Sequence, residues 1–209
     1  MPTNFPTSVD NFTNPTANDS LNLPSHSTQH ANANDAIEAV EDYLLNGAGR
    51  AGLVLITTAT IGSAVASVTV SNAFSANYDN YYITVTGGVG SATGYFNMQL
   101  GSTATGYYRV NIIAPYSTGT ISSFASSNAT SWLAVFPFTT NSIAGFADLQ
   151  NPFNAKNTHL LARGSHSATA AEININSGYL ADTTSYTAFT LTTSTGTVTG
   201  GTIKVYGYK

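Results

Sequence analysis

Cysteine is absent from the 209-residue chain, so a disulfide framework, a thiolate metal site and a cysteine nucleophile are all excluded. Long apolar runs are also missing. The most apolar stretch, residues 53–66, is broken by Thr, Gly and Ser, and we expect no membrane span and no membrane partner. The first residues carry neither a basic region nor an apolar core, which predicts synthesis in a cytoplasm without a secretory signal.

Charged side chains are scarce, at 8% of the chain against roughly 25% in ordinary soluble domains. No Lys or Arg precedes Arg50, whereas all acidic residues except Asp79, Asp148, Glu172 and Asp182 lie in the first 42 positions. The later part of the chain is almost uncharged, so a nucleic-acid partner is not expected. Its surface depends on hydroxyl and amide groups, which cost less to bury against another protein than charges do.

Residues 1–34 contain four of the seven prolines among Asn, Thr and Ser. Proline removes a backbone donor and fixes φ, so a regular helix or a central strand is not expected there. Apolar residues are nevertheless spaced along the segment, which favours an extended arm that becomes ordered against a partner surface. The alternative is a floppy tail with incidental apolar residues. The candidate anchoring residues are Phe5, Val9, Phe12, Leu21 and Leu23.

A single helix is predicted over residues 35–46. Asn34 or Asp35 is a good N-cap, Glu38 has the capping-box position relative to Asp35, and Asn46-Gly47 supplies a left-handed stop. A helix this short is marginal in water unless its apolar side is buried.

The apolar residues of this helix have the spacing of a coiled-coil seam: Ala33, Ile37, Val40 and Leu44 follow one another at intervals of 4, 3 and 4 residues. One interpretation is a short parallel bundle of copies of the chain on a symmetry axis; two heptads do not fix how many copies it joins. The other is a helix docked on its own β domain.

From Leu53 onward the apolar residues recur at every second position. Tyr81, Ile83 and Val85 alternate with polar or outward residues, and similar runs are separated by Gly, Asn and Pro turn signals. No helical pattern interrupts them and no internal repeat is present. Residues 53–209 are therefore predicted to form a mainly β domain, an antiparallel β-sandwich that is jelly-roll-like in strand count.

Five segments are similar to parts of tailed-bacteriophage virion proteins described as head fibres, tail fibres or minor tail proteins. They are FPTSVDNFTNP from Phe5, PSHSTQH from Pro24, NDAIEA from Asn34, SVTVSNAFSANYDNY from Ser67 and GGTIKVYGY from Gly200. The resemblance implies a virion location, an arm that binds capsid or tail proteins, a homotrimer, and a sandwich that faces outward. It brings no catalytic residues.

Three functions follow from these features as expectations. The first is a non-enzymatic structural protein of the virion, made in the cytoplasm of the bacterial host. The second is a tail-fibre protein whose sandwich recognises a host-surface glycan. The third, a polysaccharide depolymerase, is less favoured because the four carboxyl groups beyond Arg50 are scattered over different predicted strands and loops, and hydrolysis needs two of them about 5–10 Å apart.

Tyrosines are concentrated in the first half of the predicted sandwich. Tyr82, Tyr95 and Tyr107 fall on the phase that we expect to point outward, where they would fill an interface between copies or stack on sugar rings. Trp132 lies on a predicted strand and is interpreted as a core or interface residue, with a sugar platform as the alternative.

His26 and His30 have the H-x-x-x-H spacing that would place both imidazole rings on one helix face near a metal ion. Pro24 and the Ser and Thr around the pair favour a turn instead, and no carboxylate or third His is near in sequence. In a trimer, a ring of such residues is a weak candidate for an axial metal site. We expect no cofactor, no resident metal ion and no enzyme activity.

Overall fold

The computed structural model describes residues 25–45, 52–166 and 171–209, and all structural statements below concern these residues. They contain one α-helix, α1 (His26–Leu45), and fourteen β-strands. The helix and the residues from Leu53 to Tyr208 belong to two separate compact units. In chain order the strands are β1 (Leu53–Thr60), β2 (Ser67–Val70), β3 (Asn80–Thr86), β4 (Val89–Gly90), β5 (Gly94–Leu100), β6 (Tyr107–Pro115), β7 (Ser122–Ala129), β8 (Trp132–Phe138), β9 (Ala144–Gln150), β10 (Thr158–Ser165), β11 (Glu172–Leu180), β12 (Phe189–Thr193), β13 (Val198–Thr199) and β14 (Thr202–Tyr208).

The helix is longer than predicted, because it begins at His26 rather than near Asp35. Its first turn is capped by Ser25, whose Oγ accepts a hydrogen bond from the backbone N–H of Thr28 at 3.4 Å. The prediction of an extended arm is therefore wrong for residues 26–34. No proline interrupts the helical range, and each Asn in it costs only about 0.6 kcal/mol of helix propensity. Once a capped first turn has formed, further residues add one hydrogen bond each.

The strands form three antiparallel sheets. The largest has eight strands in the order β1-β14-β3-β9-β10-β11-β6-β7, the second has four in the order β2-β12-β5-β8, and β13 pairs with β4. Strand β8, at one edge of the four-stranded sheet, contacts β6, β9, β10 and β11 of the larger sheet. The predicted antiparallel β-sandwich is confirmed.

The connections follow those of a jelly roll. A jelly roll with strands lettered B to I has sheets of order B-I-D-G and C-H-E-F. The four-stranded sheet reproduces B-I-D-G as β2-β12-β5-β8, and β3, β6 and β7 of the larger sheet take the places of C, E and F. The place of strand H is occupied by the three-stranded meander β9-β10-β11, while β14 and β1 extend the sheet beyond β3. The meander widens the larger sheet in its middle.

The core lies between the two larger sheets and is built from alternating side chains. Tyr81, Ile83 and Val85 of β3 are fully buried, and so are Phe96 and Leu100 of β5. Complete burial of such side chains stabilises the fold by about 1.5–3 kcal/mol each relative to exposure. In both strands the sequence alternation predicts the buried positions correctly.

The backbone of the β3–β4 turn lies close to the backbone of the turn before β14. The close contacts are between two pairs of glycines, Gly88 with Gly200 and Gly87 with Gly201. Gly88 and Gly201 both have positive φ, +75° and +94°. A Cβ atom at Gly88 would overlap the carbonyl group of Gly200, and one at Gly201 would overlap that of Gly87. Only glycine fits these positions, because both the backbone conformation and the close contact exclude a side chain.

Candidate functional site

In strand β6 apolar side chains are exposed and a polar side chain is buried, the reverse of what is expected for a half-buried strand. Val110 and Ile112 are 47% and 38% exposed, whereas Asn111 between them is 3% exposed. The apolar side chains thus lie on the outer face of the eight-stranded sheet, and the polar ones face the interior.

The neighbouring strand β11 repeats this reversal. Ile173 is exposed, and Glu172, Asn174 and Asn176 are buried. The register pairs Ile175 with Ile112, so the outward residues of the two strands are adjacent. The outer face therefore carries a continuous apolar patch, which comprises Val110, Ile112, Ile173 and Ile175.

The register extends this outer face across all eight strands. One row runs from Leu55 through Tyr206, Tyr82, Asp148, Leu161 and Ser177 to Val110 and Ala125. Most members of this row are apolar or aromatic, and Leu55 and Leu161 are 52% and 40% exposed. We call this surface the outer sheet face. Exposed apolar residues thus occur on this face beyond the four residues of the patch, with Asp148 and Ser177 between them.

Tyr82 lies at the centre of an aromatic group on the outer sheet face. Its ring is 5.8 Å from that of Phe146 and 6.2 Å from that of Tyr206, between centroids. The guanidinium carbon of Arg163 lies 4.8 Å from the centroid of the Phe146 ring, within the range of a cation–π contact. Tyr82, Phe146 and Arg163 line a concavity of about 410 Å³. The location of Tyr82 on an outward phase agrees with the sequence prediction.

A second concavity of about 610 Å³ on the same face is lined by Asp148, His159 and Tyr208, among others. The Tyr208 hydroxyl donates a hydrogen bond to Asp148 Oδ1. Burial, and next the bond to this carboxylate, raise the pKa of Tyr208 to about 12. Asp148 is the one carboxylate that lines this concavity, so the described residues offer no second carboxyl group there for glycoside hydrolysis.

Two polar residues that β6 turns inward, Arg109 and Asn111, line a separate pocket with residues of β5, β7 and β8. It has a volume of about 280 Å³ and is lined by Tyr95, Arg109, Asn111, Ile113, Phe124 and Ala134. Phe124, on edge strand β7, is 53% exposed, so the pocket reaches the surface beside it. We call this the Arg109 pocket.

Arg109 is the charged group of this pocket. Its Nε and Nη1 atoms are buried and have no hydrogen-bond partner among the described residues. Burial lowers the pKa of Arg109, and the nearby Tyr95 opposes this shift. Asn111 donates to Asn174 Oδ1 at 3.1 Å, but Asn174 Nδ2 has no partner within the described part of the chain.

Tyr95 connects the Arg109 pocket to a buried acid. Its hydroxyl donates to Glu172 Oε1 at 2.5 Å, and its ring lies 4.6 Å from that of His166. His166 Nδ1 is 3.6 Å from the same carboxylate oxygen. Burial, followed by the contact with Glu172, raises the pKa of Tyr95 far above its ordinary value of 10.0. Tyr95 was predicted to point outward for a ligand or an interface, but it is half-buried and its hydroxyl is occupied by Glu172.

Two further aromatic candidates are buried in the core. Tyr107 is fully buried, its ring packs edge-on against Trp132 at 5.1 Å, and its hydroxyl accepts a bond from the backbone N–H of Leu100. The prediction of an outward Tyr107 is wrong, because it assigned the opposite phase to β6. Trp132 is also fully buried, and its indole N–H donates to the carbonyl of Tyr179. The core interpretation of Trp132 is confirmed, and neither residue is available to a ligand or to another copy.

The helix places the predicted seam on its surface. Ile37, Val40 and Leu44 are 57%, 40% and 55% exposed in the single chain. His26 and His30 lie one turn apart on α1 with their Nε2 atoms 3.1 Å apart, so the expectation of a turn there is wrong. No group of three potential metal ligands from His, Cys, Asp or Glu occurs among the residues that the structure describes.

The predicted arm anchors lie outside the described residues; they are Phe5, Val9, Phe12, Leu21 and Leu23. Within residues 25–45, 52–166 and 171–209 no helix is both long and apolar enough to cross a membrane. No protein-family model, curated protein or solved structure matches the chain.

Proposed function

We propose that this chain is a structural protein of a tailed-bacteriophage virion. It is a trimeric short fibre or decoration protein, attached to capsid or tail proteins by the residues before α1, and it presents its sandwich outward. The observation that carries this proposal is the exposure of organised apolar surfaces on both compact units, the seam of α1 and the outer sheet face. Surfaces of this kind indicate association with protein.

The outer sheet face supports self-association because it carries the continuous apolar patch of β6 and β11 and further exposed apolar residues across the other strands. An ordinary antiparallel sheet with one solvated face alternates apolar and polar residues, with the polar ones outward. Strands β6 and β11 do the reverse, with Ile112 and Ile175 outward as direct neighbours. Covering such residues with another copy removes apolar area from water at about 25 cal/mol per Å².

The seam of α1 supports the same conclusion from a second element. Three of its apolar residues at heptad spacing are about half exposed, although a seam of this kind is stable when packed against other helices. The helix also carries Asp35, Glu38, Glu41 and Asp42. When three copies pack in parallel through the seam, its apolar residues are buried, and the four acidic residues lie at helix positions outside the seam.

The resemblance to head-fibre and tail-fibre proteins supports a location on the virion. The resembling segments before α1 correspond to the part that anchors such proteins to the particle. The carboxylates of the sandwich support a non-enzymatic role, because each is engaged by a local donor and they belong to different parts of the domain; the pairs are Asp79 with Asn154, Asp148 with Tyr208, Glu172 with Tyr95, and Asp182 with Tyr186.

The test is incorporation into particles after removal of residues 1–24. The truncated chain keeps the Ser25 cap, α1 and the sandwich, so we expect it to fold and to keep its oligomeric mass. It should be absent from purified virions that contain the full chain, as measured by quantitative mass spectrometry. Phe5→Ser with Phe12→Ser is a milder form of the same test. Undiminished incorporation of the truncated chain would refute anchoring by this segment.

A second candidate, recognition of a host-surface glycan, is favoured by the aromatic group around Tyr82. Aromatic faces and a cation in one concavity suit the apolar and polar sides of a sugar ring. Glycan-array binding by the full chain, lost in Tyr82→Ala with Phe146→Ala, would support it. If the outer sheet face is instead covered by other copies, these variants change the mass and no array signal is seen.

A further inference from the structure

The Arg109 pocket combines features that the proposed structural role does not use. It is a concave site with a partly buried arginine, two of whose nitrogens are buried without a partner, with two amide side chains nearby and an exposed aromatic ring at its opening. Structural polar groups inside a protein are normally paired, and unpaired ones require an explanation. A surface that serves only to join copies has no need of an uncompensated arginine inside the sandwich.

The cost of leaving Arg109 unpaired is considerable. A guanidinium group carries five N–H donors and stays charged at neutral pH. Two of its nitrogens are buried without an acceptor, and a buried donor without a partner costs about 1–3 kcal/mol, with more for a charged group. The free Nδ2 of Asn174, which is itself 1% exposed, and the free Oγ of Ser126 on the paired strand add to this deficit.

The unpartnered guanidinium nitrogens of Arg109 are donors, and the one unpartnered acceptor close by in the register, Asn176 Oδ1, belongs to a residue paired with Asn111. The missing partner must therefore supply acceptor oxygens, and a negative charge to match Arg109. Glu172 does not provide it, because its Oε1 atom is engaged by the Tyr95 hydroxyl and lies beside His166. A carboxylate is the acceptor that guanidinium groups bind most strongly in proteins, together with phosphate.

The shape of the pocket limits the ligand to one small unit. Its volume of about 280 Å³ lies at the lower end of ligand pockets, which begin near 300 Å³. Phe124 and Ile113 give it an apolar lining beside Asn111, because Phe124 pairs with Asn111 in the register and Ile113 follows on the same face of β6. A ring with one apolar face, several hydroxyl groups and a carboxylate matches this arrangement better than a bare anion, which would leave the aromatic wall unused.

We propose that the Arg109 pocket binds a single carboxylate-bearing sugar residue, with the carboxylate on Arg109 and the ring against Phe124. The residue is either a free uronic or sialic acid or one unit of an acidic glycan. This site is distinct from the aromatic group around Tyr82 on the outer sheet face. It does not depend on the virion role, because every residue that lines it comes from one copy of the chain.

The experiment measures binding of sodium glucuronate and N-acetylneuraminate to the full chain by ligand-observed NMR and calorimetry. Glucose serves as the uncharged comparison and acetate as the carboxylate without a ring. We expect saturable binding of at least one acidic sugar. Glucose should be weaker by about 10-fold or more, because it lacks the charged hydrogen bond, which contributes about 1.5–3 kcal/mol. Acetate should also be weaker, because it lacks the ring that packs on Phe124. Oligosaccharides that carry the same acid then distinguish a glycan unit from the free sugar.

Arg109→Gln should abolish the preference for acidic sugars, and Phe124→Ala should weaken binding of the sugar without strengthening acetate. Lys156→Gln is the control, because Lys156 is an exposed cation between β9 and β10 that lines none of the three concavities described above. Thermal unfolding checks that Arg109→Gln still folds; removing an unpaired buried charge should leave the melting temperature unchanged or higher.

Three results would overturn the proposal: no binding of either acidic sugar at millimolar concentration, equal binding by wild type and Arg109→Gln, or equal binding by acetate. A change of solution mass in Arg109→Gln without any sugar binding would assign Arg109 to contact with another copy instead. Val110→Asn, on the outer sheet face, should alter self-association and leave sugar binding intact, so the two proposals fail separately.

Discussion

At the scale of single residues, this protein replaces ion pairs by hydrogen bonds from neutral donors. Among the described residues no carboxylate of the sandwich lies within 4.0 Å of a lysine or arginine nitrogen, and the one ionic contact is between His166 and Glu172. Asp182 shows the alternative most fully. It accepts bonds from the Tyr186 hydroxyl at 2.7 Å and from the backbone N–H and hydroxyl of Thr184 at 2.9 and 2.8 Å.

These bonds predict a specific loss of stability in acid. The hydrogen bond from Tyr186, followed by those from Thr184, lowers the pKa of Asp182 from 3.8 to about 2. A carboxyl group with a depressed folded-state pKa stabilises the fold fully above its unfolded-state pKa and loses that contribution as pH falls through the folded value. We expect the free energy of unfolding to fall between about pH 4 and pH 2, and Asp182→Asn to flatten that fall.

Urea unfolding at pH 7, 4, 3 and 2 measures this effect. Tyr186→Phe is the informative companion, since it keeps the carboxylate and removes only the donor with the largest influence on its pKa. It should reduce the fall of the unfolding free energy over the same pH range, but less than Asp182→Asn does. If the unfolding free energy of wild type and of Asp182→Asn depended on pH in the same way, groups other than Asp182 would cause the loss of stability in acid.

The glycines near β14 permit a second prediction at residue scale. Gly201→Ala forces a Cβ atom onto the carbonyl of Gly87 at a residue with φ of +94°, and we expect a loss of about 3 kcal/mol or more. Gly119→Ala is the control, because Gly119 also has positive φ (+66°) but nothing lies within 4 Å of its Cβ position. It should cost about 1 kcal/mol, the conformational part alone. Equal losses by chemical denaturation would contradict the close contact.

At the scale of elements, the sequence predicts which segments are strands better than it predicts their phase. In β3, Ile83 is apolar and Thr84 polar, so the alternation identifies the buried side. In β6 the same rule selects Val110 and Ile112 as core and is wrong, because it assumes that the outer face meets water. A shift of one residue moves every side chain to the other face, and nothing within β6 indicates that its polar side is inside.

The Arg109 pocket is not predicted from the sequence either, because the sequence does not show that the polar side of β6 is inside. Its residues come from β5, β6, β7 and β8, and only the tertiary fold brings Tyr95 and Ala134 to Arg109. The available signal was the run Glu172-Ile-Asn-Ile-Asn, whose polar members recur at every second position and form one side of β11. The start of α1 at His26 is not predicted, because Pro24 and the Ser and Thr after it favour a turn, whereas in the structure Ser25 caps the helix.

Because the apolar residues of β6 point outward, we expect self-association to occur at the apolar patch that they help to form. Val110→Asn places an amide in the apolar patch and should weaken association at low concentration, because an amide buried without a partner costs about 1–3 kcal/mol at each contact. Val89→Asn is the matched control: Val89 is 39% exposed on β4, outside the outer sheet face. Sedimentation velocity over a concentration series should shift for Val110→Asn only. The same shift in both variants would mean that the patch is not the contact.

At the scale of the whole molecule, two units offer two separate means of joining copies, and the distribution of exposed apolar residues lets them be separated. The full chain should have a solution mass near three chains by light scattering coupled to size exclusion. Ile37→Ser with Leu44→Ser removes the seam of α1, and Asp35→Ser with Asp42→Ser is its control on the other side of the helix. If α1 holds the copies together, the first pair lowers the mass on dilution and the second does not.

Residues 53–209 alone then test the sandwich, since they form one compact unit up to Tyr208. A trimer of this fragment that Val110→Asn dissociates would show that the outer sheet face is sufficient for assembly and that α1 only sets the direction of the N-terminal segments. A monomeric fragment beside a trimeric full chain would make α1 the assembling element and leave the outer sheet face for another partner. A monomeric full chain would refute the trimer, because neither apolar surface would then be covered by a second copy.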